Sequence, residues 1–198
     1  MGLNSVMYGL SRWKGVLGSI CKLFTDLNTA YVPISNIARK HYKEQDDYYF
    51  GISKWYKEFD AEHGTDLYNY FASIIAFDAV IYNEDRHLGN FGVLRDNKSG
   101  EIIGNAPVFD NGISLFNYSS LNELMNINNH RKAYENYFRG SFDETAKMFC
   151  GEHQKEQLQK LAGFNFKKHP RYNWEPKRFE LIEEFIQFRV NELFDIIG

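Results

Sequence analysis

The sequence predicts a mainly α-helical fold with one small β-hairpin. Apolar residues recur at helical intervals through residues 67–81, and again in a segment that Pro176 opens at the position where helices tolerate proline. Between these segments lie two short strand-like runs, residues 91–94 and 101–103. They are joined by residues 96–100, Asp-Asn-Lys-Ser-Gly, whose Asn and Gly supply the backbone angles that a hairpin turn requires. A minor ribbon between long helices is typical of an α-dominated lobe.

The composition is that of a soluble globular protein. Of the 198 residues, 43% are hydrophobic and 25% are charged, with no apolar run of membrane-spanning length, so no membrane partner is expected. The net charge of −3 gives no reason to expect direct nucleic-acid binding. The only cysteines, Cys21 and Cys150, are far apart and lack metal-site spacing, and the N-terminus does not resemble a signal peptide. We therefore expect a cytoplasmic protein with reduced thiols.

The first third of the chain is predicted to consist of helices and loops. Residues 16–29 have helix-like apolar spacing, and a second short helix is predicted for residues 34–42, directly after Pro33. Residues 43–64 are charged and aromatic, and this pattern indicates a connecting loop. We therefore place the domain boundary there, with residues 1–64 as an N-terminal segment and residues 65–198 as the main lobe.

The main lobe begins with the strongest helix signal. Thr65 is the predicted N-cap of a helix that ends near Tyr82. After the predicted hairpin, residues 152–161 are expected to form one helix, and the segment from Pro176 to the C-terminus another.

Three residues between the long helix and the segment after the hairpin belong together chemically. Asp85 and Asn90 are five residues apart in the sequence D-R-H-L-G-N, and Asp110 follows twenty residues later in D-N-G. Phosphoryl transfer from ATP needs a carboxylate that orients the attacking hydroxyl and accepts its proton, and hard oxygen ligands that hold Mg²⁺ against the phosphates. This arrangement meets the requirement: one loop carries a base and a metal ligand, Asp85 and Asn90. The hairpin that follows can bring a second metal ligand, Asp110, back beside them.

The strings Asn83-Glu84-Asp85-Arg86-His87-Leu88-Gly89-Asn90-Phe91-Gly92 and Phe109-Asp110-Asn111-Gly112 resemble the C-terminal lobe of HipA-like kinases. Those proteins are serine/threonine kinases, best known as toxins of bacterial toxin–antitoxin pairs. The resemblance implies that Asp85 is the catalytic base, that Asn90 and Asp110 bind Mg²⁺, and that ATP phosphorylates a protein hydroxyl. The same arrangement resembles phosphoinositide kinases, the type II branch in particular, which implies a lipid headgroup as the alternative acceptor.

The chain departs from ordinary protein kinases at two positions. Arg86 follows the predicted catalytic aspartate where those enzymes have an arginine before it, and Asn111 stands where they carry phenylalanine. Both departures favour the atypical kinase families.

Three residues near the predicted site are candidate supporting residues: Asp78, Arg86 and His87. Asp78 lies seven residues before Asp85 on the apolar side of its helix, where it either bonds the catalytic loop, pairs with Arg86 or is simply a residue at the margin of the core. His87 is expected to brace the loop by hydrogen bonds to backbone carbonyls.

A nucleotide-binding lobe is not recognisable in the sequence. Such a lobe normally carries a glycine-rich loop between strands and a strand lysine paired to a helix glutamate. The glycines at Gly9, Gly15 and Gly18 have a different spacing and no alternating strand pattern around them. We therefore expect a protein-kinase-like C-terminal lobe that lacks a complete N-lobe.

Three explanations for that incompleteness remain open at the level of sequence. The gene is truncated, a separate N-lobe or antitoxin protein completes the enzyme, or the chain is a degenerate, non-catalytic interaction domain. The expected behaviour of the isolated chain is weak Mg-nucleotide binding and little or no turnover, because positioning and charge stabilisation of the phosphates are both incomplete.

Overall fold

The computed structural model describes residues 1–41 and 48–198, and it is helix-rich with small antiparallel sheets. The chain divides into two compact units. The first unit consists of Met1–Gly2, Phe71–Arg86 and Asn111–Gly198, and the second consists of Leu3–Tyr70 and His87–Asp110. The division into residues 1–64 and 65–198 as separate domains stays a prediction.

The strands lie in the second unit. They are β1 (Tyr8–Trp13), β2 (Val16–Cys21), β3 (Thr29–Pro33), β4 (Gly92–Asp96) and β5 (Ile102–Asn105). Strands β1 and β2 form a two-stranded hairpin, and β3, β4 and β5 form an antiparallel sheet in that order. The predicted hairpin is thus confirmed as β4–β5, while its third strand β3 was not predicted.

The helices, in chain order, are α1 (Ile34–His41), α2 (Tyr48–His63), α3 (Leu67–Ile81), α4 (Leu121–Met125), α5 (Ile127–His130), α6 (Phe142–Phe149), α7 (Glu152–Gln159) and α8 (Pro176–Ile196). A short 3₁₀ turn, Arg131–Ala133, follows α5. The predicted helices at residues 34–42, 152–161 and from Pro176 are confirmed as α1, α7 and α8, with Tyr42 lying outside the described residues. None of the described helices is both long enough and apolar enough to cross a membrane.

The helix predicted for residues 16–29 is wrong, because Val16–Cys21 is strand β2. Lys14 and Gly15 form the two-residue turn before it, and both have positive φ angles, 49° and 83°. Turns of this kind match the twist of paired strands and therefore favour a hairpin. The expectation that no strands surround the glycines at residues 9, 15 and 18 is wrong for the same reason.

The connecting loop predicted for residues 43–64 is also wrong for most of its length. Residues 43–47 lie outside the described residues, and Tyr48–His63 is helix α2. Its aromatic content serves packing, since Ile52, Trp55 and Tyr56 are buried.

Helix α3 is confirmed, but Thr65 does not cap it. The carboxylate of Asp60, in the last turn of α2, accepts hydrogen bonds from the backbone N–H groups of Leu67 and Tyr68, both at 2.8 Å. The Thr65 hydroxyl itself donates to Asp60. A carboxylate from the preceding helix therefore satisfies the free amides at the start of α3.

The end of α3 turns sharply. Tyr82 has a left-handed backbone with φ 52°, and the N–H of Asn83 donates to the carbonyl of Asp78 at 3.1 Å. This six-to-one bond is the Schellman closure of a helix. The turn ends α3 at Ile81, four residues before Asp85.

The core of the first unit is organised around α8. That helix contributes one apolar face, made of Phe179, Ile182, Phe185, Ile186, Val190 and Leu193. Arg189 is also fully buried in α8, and its guanidinium donates to the carbonyl of Ala79 and, at 2.8 Å, to the carboxylate of Asp143. Because both a carbonyl and a carboxylate accept from it, this buried charge is compensated.

Candidate active site

The two compact units each hold part of the predicted residue set. Asp78, Asp85 and Arg86 belong to the first unit, whereas Asn90 and Asp110 belong to the second. We describe each group within its own unit.

In the first unit, Arg86 is the centre of a buried polar network. Its Nε and Nη2 donate to the two carboxylate oxygens of Asp78, both at 2.9 Å, and the side chains of the pair are 3% and 9% exposed. Nη2 also donates to Oδ1 of Asn111 at 2.5 Å, and the Asn83 amide donates to Asp78 at 3.0 Å. Of the three interpretations left open for Asp78, the structure therefore shows the pairing with Arg86, together with a hydrogen bond from Asn83 at the start of the loop.

This network fixes the backbone beside it. Bidentate arginine–carboxylate pairs are geometrically specific, and this one is shielded from water on both sides. Asp78 lies in the last turn of α3, Arg86 in the loop that follows, and Asn111 in the D-N-G segment. The side chain of Arg86 therefore ties all three segments together within the first unit.

Asp85 is half-buried and follows a braced turn. Its backbone N–H donates to the side-chain oxygen of Asn83 at 3.2 Å, and the N–H of the preceding Glu84 donates to the carbonyl of Ile113 at 3.2 Å. Burial raises the pKa of the Glu84 carboxyl above its ordinary value. Asp85 is therefore held by its neighbours' hydrogen bonds in a partly desolvated surrounding.

In the second unit, His87 and Asn90 close the other half of the D-R-H-L-G-N loop. The N–H of Asn90 donates to the carbonyl of His87 at 2.8 Å, and the N–H of Gly89 donates to Nδ1 of His87 at 3.0 Å. His87 thus contacts the loop backbone through its ring, since its Nδ1 accepts the Gly89 N–H. An accepting Nδ1 places the proton of a neutral imidazole on Nε2.

The same loop is fastened to β3 and α1. The hydroxyl of Tyr31 donates to the carbonyl of Gly89 at 2.8 Å, and the N–H of Ser35 donates to the carbonyl of Leu88 at 3.0 Å. Asn90 is buried, so its amide is held in a defined surrounding. These contacts come from Tyr31 and Ser35, which belong to the predicted N-terminal segment of residues 1–64.

Asp110 has a special backbone and an exposed side chain. Its φ angle is 53°, in the left-handed region that few non-glycine residues adopt, although Asp tolerates it better than most. The hydroxyl of Tyr8 accepts a hydrogen bond from the Asp110 N–H at 2.9 Å. The preceding Phe109 packs its ring against Phe24 and Tyr31, with centroid distances of 5.3 and 5.5 Å. The hydrogen bond from Asp110 to Tyr8 and the packing of Phe109 together fix the backbone direction at Asp110.

The β4–β5 ribbon determines where Asn90 and Asp110 leave the sheet. Ala106 donates to the carbonyl of Gly92 at 3.0 Å, which pairs the start of β4 with the end of β5. Asn90 lies two residues before Gly92, and Asp110 lies four residues after Ala106. Within the second unit, both predicted metal ligands therefore extend from the same end of one ribbon.

Two residues have roles that the sequence did not predict. Tyr8 contacts a residue 102 positions away, and nothing in the local sequence points to that pairing. Asn111 was noted as a departure from ordinary kinases, but its partner Arg86 was not foreseen. The signal in the sequence was the asparagine itself, which stands directly after Asp110 where ordinary kinases have phenylalanine.

The donor set suits a hard cation. A carboxylate and an amide oxygen are ligands that Mg²⁺ accepts while keeping several of its waters. Among the described residues, no three His, Cys, Asp or Glu side chains cluster as a metal site. A pair made of one amide and one carboxylate is a different kind of ligand set, so that finding does not bear on Asn90 and Asp110.

The fold resembles that of a known kinase. The crystal structure of a Helicobacter pylori proinflammatory kinase, CtkA, matches with a TM-score of 0.64 and 18% sequence identity, and the match covers 99% of this chain and 78% of that chain. No protein-family model matches the sequence, and no curated protein matches it. At this identity the likeness establishes a kinase-like fold.

Proposed function

We propose that the protein is a kinase-like phosphotransferase that moves the γ-phosphoryl group of ATP to a protein hydroxyl. The observation that carries the proposal is the D-R-H-L-G-N and D-N-G motif order on a chain whose kinase-like fold is matched over 99% of its length. HipA-like serine/threonine specificity and a cytoplasmic location belong to the same proposal, and they rest on the motif resemblance.

We assign Asp85 as the catalytic base. A base must hold a carboxylate in a fixed direction and accept a proton from the attacking hydroxyl. The hydrogen bonds at Asn83 and Glu84 hold the backbone at this position, and partial burial lowers the number of competing waters. Both features support the assignment.

We assign Asn90 and Asp110 as the Mg²⁺ ligands. Bound Mg²⁺ supplies charge neutralisation at the ATP phosphates. The contribution of the chain is to hold two hard oxygens in place: Asn90 is buried behind its backbone bond to His87, and the backbone of Asp110 is restrained by Tyr8. The left-handed backbone at Asp110 stores strain, a feature that concentrates at functional positions.

We assign Arg86 as a positioning residue and not as a phosphate ligand. Its Nε and Nη2 are already used by Asp78 and Asn111, and its side chain is nearly inaccessible to solvent. A buried arginine of this kind stabilises the loop that carries Asp85. Arg86 and Asp78 therefore support the site from a buried position, and His87 supports it through its hydrogen bond to the loop backbone.

A lysine for the nucleotide phosphates is proposed to come from outside the described residues. None of the strands from β1 to β5 contains a lysine, whereas kinases place one on a strand. We propose that a separate N-lobe, or a partner protein such as the antitoxin of a toxin–antitoxin pair, supplies it. The isolated chain is then expected to bind Mg-ATP weakly and to turn over slowly.

Two readouts on the same variants test these assignments separately. Mg²⁺-dependent ATP binding, measured by calorimetry, is expected to be lost in Asn90→Ala and Asp110→Asn and retained in Asp85→Asn. Phosphate incorporation, measured with radiolabelled ATP and candidate protein acceptors, is expected to fall at least ~10²-fold in Asp85→Asn and Asp110→Asn.

Asp195→Asn is the matched control, since Asp195 is an exposed carboxylate at the end of α8. It is expected to leave both readouts unchanged. Phosphorylation that survives both Asp85→Asn and Asp110→Asn contradicts the proposed function. Binding that is tight in the isolated chain contradicts the proposed need for a further lobe.

A further inference from the structure

Strand β3 carries a tyrosine that contacts the chain beside both proposed metal ligands. Tyr31 is half-buried in the middle of that strand. Its hydroxyl donates to the carbonyl of Gly89 at 2.8 Å, and its ring packs edge-on against the ring of Phe109, with the centroids 5.5 Å apart. Gly89 directly precedes Asn90, and Phe109 directly precedes Asp110. All of these residues belong to the second unit.

The peptide group between Gly89 and Asn90 is held at both of its polar atoms. Its carbonyl oxygen accepts from the Tyr31 hydroxyl, and its N–H donates to the carbonyl of His87 at 2.8 Å. Because the peptide is planar, it cannot rotate without breaking one of these two bonds. The side chain of Asn90 is buried, so the direction of its amide depends on how this peptide is oriented. The Tyr31 hydroxyl therefore supplies one of the two bonds that orient the first ligand.

The ring of Tyr31 acts beside the second ligand. Tyr31, Phe24 and Phe109 contact one another, with centroid distances between 5.3 and 5.6 Å. Such ring pairs are favourable beyond the area that they bury, so they restrain Phe109. The next residue, Asp110, has a left-handed backbone with φ 53°, and its N–H donates to the hydroxyl of Tyr8. Since that backbone is unfavourable for a residue with a side chain, it persists only where contacts on both sides hold it.

Close strand packing fixes Tyr31 relative to the loop that carries Asn90. Gly92 at the start of β4 pairs with Pro33 of β3, and a Cβ at Gly92 would lie 2.2 Å from the carbonyl oxygen of Val32. The two strands therefore approach this closely only because Gly92 has no side chain. Asn90 lies two residues before Gly92, so the strand that carries Tyr31 is held against the strand that the ligand loop enters.

We propose that Tyr31 is a positioning residue that couples the two Mg²⁺ ligands, Asn90 and Asp110. This role rests on the proposed function, in which those two residues hold Mg²⁺ against the ATP phosphates. Mg²⁺ demands a nearly ideal geometry from its oxygen ligands, and residues that orient the ligands commonly determine the affinity. Tyr31 holds the peptide of one ligand with its hydroxyl and the neighbour of the other with its ring, so a single side chain sets the two ligands relative to each other.

The two parts of the Tyr31 side chain can be tested separately. Tyr31→Phe removes the hydrogen bond to Gly89 and keeps the ring against Phe109, whereas Tyr31→Leu removes both contacts. Tyr134→Phe is the matched control. Tyr134 is also half-buried and shares a hydrogen bond of 3.0 Å with the hydroxyl of Ser119, but it belongs to the first unit, and both proposed ligands belong to the second. Tyr31→Phe carries the test by itself if Tyr31→Leu fails to fold.

NMR spectroscopy of the isotope-labelled full chain, titrated with MgCl₂ alone at constant ionic strength, measures metal binding without turnover. The side-chain amide of Asn90 and the backbone amide of Asp110 report on the two ligands. In the wild type, both signals are expected to shift with the same midpoint, because both ligands hold the same ion. Tyr31→Phe is expected to raise that midpoint about 3- to 10-fold, as the loss of one hydrogen bond implies, and Tyr31→Leu to raise it further. Tyr134→Phe is expected to leave it unchanged.

Urea denaturation distinguishes positioning from a general loss of structure. Tyr31→Phe and Tyr134→Phe each remove one half-buried hydroxyl with its hydrogen bond, so both are expected to lower the denaturation midpoint to a similar extent. Of these two variants, only Tyr31→Phe is expected to change the Mg²⁺ midpoint. A residue with a purely structural role would change the first midpoint and leave the second unchanged.

Two results overturn the role of Tyr31 and leave the proposed ligands in place. One is a Tyr31→Phe variant with the Mg²⁺ midpoint of the wild type. The other is a Tyr134→Phe variant whose midpoint rises as much as that of Tyr31→Phe, because any lost hydroxyl would then have the same effect. A wild type in which the Asn90 and Asp110 signals do not shift with Mg²⁺, or shift with different midpoints, overturns the ligand assignment itself and the role of Tyr31 with it.

Discussion

Nη2 of Arg86 donates a hydrogen bond to Oδ1 of Asn111 at 2.5 Å, while the same guanidinium pairs with the carboxylate of Asp78. These two residues are the positions at which the chain departs from ordinary protein kinases, and each directly follows a predicted site carboxylate in the sequence. The structure shows that the departures are physically coupled. An arginine after the aspartate needs an acceptor, and the asparagine of D-N-G provides one.

Arg86→Met is expected to lower the free energy of unfolding by about 3–5 kcal/mol, because it leaves the Asp78 carboxylate buried without its partner. Chemical denaturation of the purified protein measures this. Lys177→Met is the control: it removes a salt bridge to Glu180 that is half-exposed on α8, and no measurable loss is expected. Equal losses in the two variants would mean that the Arg86 pair contributes no more than a surface pair.

Asn111→Ala is expected to lower the free energy of unfolding by about 1.5–3 kcal/mol, since a buried guanidinium loses an acceptor. When it is combined with Arg86→Met, the second loss is expected to shrink by on the order of 1–2 kcal/mol, because the interaction is already gone. A double-mutant cycle by denaturation measures the coupling. Strict additivity of the two losses would show that the hydrogen bond contributes nothing in solution.

Gly92→Ala is expected to destabilise the β3–β4 pairing strongly. A Cβ at this position would lie 2.2 Å from the carbonyl oxygen of Val32 and 2.9 Å from Cα of Pro33, and neither backbone atom moves easily. The expected loss is at least ~2 kcal/mol in the free energy of unfolding. Gly18→Ala, where the added atom meets open space, is the control, and equally small losses in both would contradict the close approach of β3 and β4.

Local patterns were enough to predict the long helices and the β4–β5 ribbon. Helix α8 opens at Pro176 and keeps one apolar face through Leu193. Asp96 ends β4, and its carboxylate accepts from the backbone N–H groups of Lys98 and Ser99 in the turn that follows. Each of these signals lies within a few residues of the element that it predicts. The order of Asp85, Asn90 and Asp110 could be predicted for the same reason, because each residue belongs to a short local motif.

Other features depended on information that a local pattern does not contain. The apolar spacing from Val16 onward fits a strand as well as a helix, and the turn at Lys14 and Gly15 decides between them. The cap of α3 comes from Asp60, in the preceding helix, and the nearby Thr65 is a donor to it. Strand β2 therefore depends on the turn that reverses the chain before it, and the start of α3 depends on a contact with the preceding helix.

Cys150 is expected to react with thiol reagents far more slowly than Cys21. Burial raises the pKa of the Cys150 thiol to about 12, and its sulfur lies 3.3 Å from the carbonyl of Ala72, to which the thiol donates. Cys21 is exposed. At pH 8 the Cys150 thiolate is therefore populated roughly 10³-fold less than that of an ordinary thiol.

Brief iodoacetamide treatment followed by mass spectrometry measures the two labelling rates. Cys21→Ser is expected to remove nearly all fast labelling, and Cys150→Ser to remove almost none. Similar rates for both thiols in the folded protein would mean that Cys150 is accessible, and full labelling in denaturant serves as the reference.

Glu84→Gln is expected to stabilise the protein at neutral pH and not at low pH. Because burial raises the pKa of Glu84 in the folded state, the folded protein holds this proton more tightly than the unfolded chain. The favourable contribution of the protonated carboxyl is therefore present below its ordinary pKa of 4.5 and is lost as the pH rises through the higher folded-state pKa. At pH 7 the wild type carries a partly desolvated charge that glutamine avoids.

The difference in free energy of unfolding between Glu84→Gln and wild type is thus expected to grow from pH 4 to pH 7. Denaturation curves at a series of pH values measure it. Glu101→Gln, which removes an exposed carboxylate before β5, supplies the baseline for the loss of one negative charge. A difference that shrinks with rising pH, after subtraction of that baseline, would show that the Glu84 carboxylate is stabilised in its charged form beside Asp85.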